Sequence, residues 1–187
     1  MLTLVHTADV HLDTPFSGSG LTREQAVQRR ADLLTSFRNV IELARERRAD
    51  VLLIAGDLFE EEYLSVSTIR RVLGSIADLA PMPVIISPGN HDPYHSASPW
   101  ATEELPPNLH LFRSEKIEPL RFPDLNLTIW GTAFTRYHHT DRRWQGFKVP
   151  GNGDADINVI CTHGAFYKGE VGQAEKYLPI AEEDLLG

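Results

Sequence analysis

Cysteine is nearly absent: Cys161 is the single one in 187 residues. A lone thiol cannot close an intramolecular disulfide, so a reducing, cytoplasmic setting is expected. Long apolar runs are missing as well. None reaches the ~18–20 residues that cross a bilayer, so no membrane association is expected. Residues 1–9 carry no basic segment and meet Asp9 early, which argues against a secretory leader. Positive charge is also scarce. Lys plus Arg number 18 against 26 Asp plus Glu, for a net charge of −8. That deficit excludes a module that coats nucleic acid by charge alone. What remains is ordinary: 42% hydrophobic and 24% charged residues, enough for one large domain with a sizeable core.

Short apolar runs alternate with helical stretches. Residues 2–8, 50–55 and 83–87 read as strands. Between the first two, Leu33, Phe37, Val40, Ile41 and Ala44 recur at 3–4 spacing and predict a helix over 23–48, opened by a Thr22/Gln25 capping box. Ile69, Val72, Leu73 and Ile76 predict a second helix over 66–80, stopped by Pro81 and Pro83. The pattern is βαβαβ, hence parallel strands with right-handed crossovers. Beyond a proline- and serine-rich loop at 93–107, helical periodicity vanishes. Residues 109–112, 125–131 and 157–162 read as further strands, the last two in a second sheet. No repeat or compositional break divides the chain, so a single domain over 1–187 is expected.

Metal-ligand residue types close these strands. The first ends in Asp9-Val10-His11, the second in Gly56-Asp57, the third in Gly89-Asn90-His91-Asp92, and a late one in Thr162-His163-Gly164. In an open α/β sheet the strand C-termini share one rim, where ligands bind. Asp9, His11, Asp57, Asn90, His91 and His163 should therefore meet. If the chain is extended there, Asp9 and His11 point the same way. Carboxylate and amide oxygens mixed with imidazoles suit Mn²⁺, Fe²⁺ or Zn²⁺ better than Ca²⁺ or Mg²⁺, and Asp57 can bridge two ions. Each motif alone is weak; four together at strand ends are specific.

On these motifs the chain resembles the calcineurin-like metallophosphoesterase superfamily. Residues 8–12, Ala-Asp-Val-His-Leu, and 56–59, Gly-Asp-Leu-Phe, are similar to its DNA-repair exonuclease branch, the SbcD-like nuclease subunits. The resemblance implies an α/β fold, a four-layer α-β-β-α sandwich of two mixed sheets. It implies a two-metal site with Mn²⁺ foremost: Asp9, His11 and Asp57 serve one ion, and Asp57, Asn90 and His163 the other. His91 would be the non-ligand residue that meets the scissile phosphate, with Asp92 as its supporting partner. The implied reaction is attack on phosphorus by a metal-activated water, in line with the leaving oxygen. DNA is the implied substrate, an SbcC-like ATPase subunit the implied partner, and a homodimer the implied state of the full-length protein.

Two features depart from that pattern. No Gly-His-x-His motif follows His163, which leaves each ion one protein ligand short. The expectation is a domain incomplete at its C-terminus, lacking part of its second sheet and weakly active or inactive as this chain alone. Asp13 stands where the branch carries glycine. Two rival functions follow: hydrolysis of small phosphoesters or cyclic nucleotides, and a non-catalytic scaffold that keeps the fold. Elsewhere, His6 reads as a packed strand histidine. Residues 136–150, with Arg136, Tyr137, Arg142, Arg143, Trp144 and Lys148, suit single-stranded nucleic acid, a partner surface or a plain loop equally.

Overall fold

The computed structural model describes residues 1–150, 157–168 and 176–185. The single-domain expectation over 1–187 also covers residues 151–156, 169–175 and 186–187, which lie outside the described residues. A parallel sheet forms from β1 (Leu4–Thr7), β2 (Val51–Ile54), β3 (Val84–Ile86) and β4 (Leu109–Leu111), side by side in that order. The crossovers are α1 (Arg23–Glu46) and α2 (Val66–Ala77), with the short α3 (Pro99–Thr102) before β4. Helix α1 opens on the predicted box: Thr22 Oγ1 accepts from Gln25 N at 3.2 Å, and Gln25 Oε1 accepts from Thr22 N at 2.8 Å.

Each face of this sheet has its own core. Leu52, Ile54, Val84 and Ile86 meet Phe37 and Ile41 of α1 and Ile69, Val72 and Ile76 of α2. Val51, Leu53 and Ile85 point the other way, onto Leu127, Ile129 and Cys161 of a second sheet. Strands buried on both faces read as unbroken apolar runs, which is why β2 and β3 were legible. Burying each of these side chains contributes roughly 1.5–3 kcal/mol. Cys161 behaves as a small hydrophobe, its thiol pushed up to about 12 by burial.

The second sheet is mixed. β5 (Glu118–Phe122) pairs antiparallel with β6 (Leu127–Gly131), and β6 pairs parallel with β7 (Ile157–Cys161). A separate parallel pair, β8 (Ala165–Tyr167) and β9 (Pro179–Ala181), leads into α4 (Glu182–Leu185). The α/β class and the two facing sheets are as expected. The outer face of β6 is covered differently: among the described residues Trp130, Phe134, Trp144, Leu178 and Ile180 form a third apolar cluster there, with Phe147 against it. The aromatic insertion is thus a structural layer. Trp144 is buried, Arg142 pairs with Glu183 and Asp184, and half-buried Arg143 hydrogen-bonds Asp141 and Thr132. Arg136, Tyr137 and Lys148 face solvent, as do Asp141 and Gln145 between them.

Candidate metal centre

The three N-terminal strands end on the same rim, and their loops are laced together there. Asp9 N–H donates to Gly56 O at 3.1 Å, His11 N–H to Asp57 O at 2.9 Å, and Leu12 N–H to Leu58 O at 2.9 Å. The backbone is not extended at the ligand positions. Asp9, His11 and Asp57 have φ of 52°, 49° and 52°, in the left-handed region that costs a residue with a Cβ energy. The expected same-side display of Asp9 and His11 by an extended chain is therefore corrected; the loop lacing brings them together instead. Asp13, at φ 67°, adopts the conformation that glycine would take freely, and its Oδ2 accepts from Ser65 N–H at the start of α2. Gly56 and Gly89 make room. A Cβ on Gly56 would lie 2.6 Å from the His163 ring, and one on Gly89 would collide with the Asp57 carboxylate.

Five expected ligands converge. Asp57 Oδ2 lies 3.7 Å from His11 Nε2 and 3.4 Å from His163 Nε2, a central position between the two imidazoles. Asp9 Oδ1 is 3.9 Å from His11 Nε2, and Asn90 Oδ1 is 3.1 Å from His163 Nε2. Ligands about 2.1 Å from an ion and 90–109° apart are separated by about 3.0–3.4 Å, so these spacings are those of a loosely assembled coordination shell. Proton placement makes the same point. His163 Nδ1 faces the Ala55 carbonyl at 3.0 Å, and a carbonyl only accepts, so Nδ1 donates there and Nε2 is turned toward Asn90 and Asp57. Nε2, Asn90 Oδ1 and Asp57 Oδ2 then face one another as imidazole, amide and carboxylate ligand atoms. The donor set of carboxylate, amide and imidazole fits a borderline divalent ion.

Glu60 is the residue that sequence reasoning missed. Its Oε1 lies 2.8 Å from His11 Nδ1 and its Oε2 2.9 Å from His91 Nδ1. Because a carboxylate accepts, both rings donate from Nδ1 and keep Nε2 for the site. The rings meet edge to face at 4.8 Å. Glu60 sits three residues after Asp57, within the acidic run Glu60-Glu61-Glu62 that reads as a solvated patch; that spacing was the available signal.

Asp92 corrects an expectation. It does not hold the His91 ring, a task that falls to Glu60. Its fully buried carboxyl accepts from Asp57 N, Leu58 N and Gly89 N at 3.0, 3.0 and 2.8 Å, clamping the second ligand loop to the third. Burial, then the neighbouring Asp57 carboxylate, push its pKa well above the usual range despite those donors. His6 is exposed and lines the same cavity, contrary to its reading as a packed histidine. His139 is fully buried among Arg143, Asp141 and Glu115, and its pKa is lowered by burial and by Arg143. It does not line the cavity.

Comparison with known proteins places this geometry. The family model described as calcineurin-like phosphoesterase matches residues 2–185. The metallophosphoesterase YhaO of Bacillus subtilis strain 168 is 28% identical over 192 residues, covering 99% of this chain and 45% of that protein. The DNA double-strand break repair protein Mre11 of Aeropyrum pernix is 35% identical over 94 residues, 49% of this chain and 21% of that protein. The chain spans less than half the length of these curated relatives.

Proposed function

The chain belongs to the calcineurin-like phosphoesterase family, whose members are metal-dependent hydrolases of phosphoesters, and on that premise we propose that it hydrolyses DNA phosphodiesters as a repair-type nuclease. The observation that carries the reading is the convergence of carboxylate, amide and imidazole ligand atoms from four loops on one rim, with His91 beside them. Asp9, His11 and Asp57 would hold one divalent ion; Asp57, Asn90 and His163 would hold another, with Mn²⁺ the proposed species. Such ions lower the pKa of a bound water and draw charge from phosphoryl oxygens.

The protein's own residues do the rest. His91 N–H donates to Asp57 Oδ1 at 2.9 Å, so the third loop steadies the central carboxylate. His91 Nε2 is left facing substrate by the Glu60 contact at Nδ1. Held by that carboxylate, the ring is placed to pass a proton from Nε2 to the leaving oxygen. The similarity to Mre11 and the sequences at 8–12 and 56–59 support DNA as substrate. The same resemblance extends the proposal to an SbcC-like ATPase partner and a homodimer of the full-length protein. Among the described residues no helix is long and apolar enough to cross a membrane.

Hydrolysis with Mn²⁺ of linear duplex DNA, bis-p-nitrophenyl phosphate and cyclic nucleotides tests the reading on the full-length gene product. Release of nucleotides from DNA, abolished in His91→Ala while calorimetry still finds bound Mn²⁺, is the expected result. Turnover confined to the small esters would overturn the nuclease reading in favour of a small-phosphoester enzyme. Metal binding without turnover of any ester would favour the scaffold.

A further inference from the structure

The metal cluster opens into a cavity of about 530 Å³, within the range of ligand sites. Its polar lining includes four of the five expected ligands, Asp9, Asp57, Asn90 and His163, with His6 and His91; the rest is mostly small side chains. Among the described residues, Tyr177 is the one phenyl- or indole-bearing side chain that lines it. The residue is 41% exposed, so part of it is open at the cavity mouth. Its neighbour Leu178, by contrast, is buried in the third apolar cluster.

Backbone hydrogen bonds anchor the root of the ring. Tyr177 O accepts from Ala165 N–H at 2.8 Å, which ties it to the loop that carries His163. On either side, His139 N–H donates to Lys176 O at 2.8 Å and Leu178 N–H to His139 O at 2.7 Å. The ring itself meets exposed His138 at 5.6 Å, with the planes 67° apart. Gly164 keeps the adjacent loop close, since a Cβ there would lie 2.6 Å from Leu178 O. An aromatic ring on an anchored backbone thus stands beside a phosphate-type site, with small side chains in the same lining. Stacking on such a plane is how proteins hold single-stranded bases without reading them.

We propose that Tyr177, oriented by His138, is a stacking platform for the base of a nucleotide whose phosphate occupies the metal centre. The platform rests on the phosphodiesterase reading above and gives that reading a substrate class: esters with a base next to the scissile phosphate, held without base preference.

Binding, measured apart from turnover, tests it. With Mn²⁺ present, calorimetry compares thymidine 5′-monophosphate with methyl phosphate on the wild type, Tyr177→Phe and Tyr177→Leu. The nucleotide should bind the wild type more tightly than methyl phosphate does. Tyr177→Leu should weaken the nucleotide by roughly 5- to 150-fold and leave methyl phosphate within about twofold; Tyr177→Phe should behave as wild type. Equal binding of the two ligands by the wild type, or equal losses for both in Tyr177→Leu, would overturn the platform alone. Binding of neither ligand would overturn the platform and the phosphate site together. Unchanged thermal midpoints in the variants confirm that the fold is intact, and Tyr177→Ser, which also removes the ring, carries the comparison if Tyr177→Leu unfolds.

Discussion

Glu60 shows how one carboxylate sets the chemistry of two other residues. It takes the Nδ1 hydrogen of a metal-ligand histidine with one oxygen and that of His91 with the other. Replacing it by glutamine leaves a single accepting oxygen, so the amide nitrogen must face one of the two Nδ1–H groups. Two donors then oppose each other, and that ring rotates or changes tautomer. Outer partners of this kind typically matter 10- to 100-fold, so Glu60→Gln should lower kcat on a phosphodiester by about that factor. The check is steady-state kinetics beside an Mn²⁺ titration and a thermal midpoint. Unchanged kcat with normal metal affinity would mean that the rings hold their orientation without Glu60. This residue was not legible in the sequence for a physical reason. Acidic runs are usually solvated, and only the third dimension shows that two of its neighbours are imidazoles from other loops.

At the scale of elements, the sequence was most informative where burial is symmetric. β1 to β3, α1 and α2 follow from apolar runs and 3.6-residue periods, and the strand-end motifs fall on their rim because parallel strands share a direction. β5 was not legible: Glu118-Pro119-Leu120-Arg121-Phe122 is a short, half-exposed strand with a proline and two charges, and nothing in it separates strand from loop. β8 and β9 have three residues each, too few for a period to register. The insertion around Trp144 was left open by the sequence for a different reason. Its aromatics and arginines have the composition of a nucleic-acid surface, but the second sheet offers an uncovered face at β6, and the aromatics fill it. Trp144 touches Phe147 edge to face at 5.2 Å, and its Nε1–H donates to Thr162 Oγ1 at 3.2 Å, one residue from His163. Truncating it opens a cavity beneath a ligand loop. Trp144→Ala should therefore cost about 3–5 kcal/mol of stability in denaturant unfolding. A weaker grip on oligonucleotides with unchanged stability would instead return the insertion to a binding role.

The whole molecule carries a net charge of −8, and part of that charge is concentrated at one rim. Asp9, Asp57, Glu60 and Glu61 lie on the loops that follow β1 and β2, and the Asp92 carboxyl is packed under them. Three ligand positions there also hold left-handed backbone, so the folded apo state bears both strain and crowded acceptors. A divalent ion that binds this arrangement, and not the unfolded chain, adds stability by mass action: about 2.7 kcal/mol when free metal is 100 times its Kd. For a chain of this size each kcal/mol moves the midpoint by about 2–4 °C, so Mn²⁺ should raise the thermal midpoint by about 5–10 °C and a chelator should reverse the rise. General screening of negative charge would act without regard to the centre, so the discriminating comparison is Asp57→Asn. That substitution removes the carboxylate common to both groups of ligands while changing the net charge by one unit in 187 residues. The Mn²⁺-dependent rise should vanish in Asp57→Asn, and sodium chloride at matched ionic strength should not reproduce it in the wild type. A rise of equal size in both proteins would place the stabilising ions elsewhere on the acidic surface.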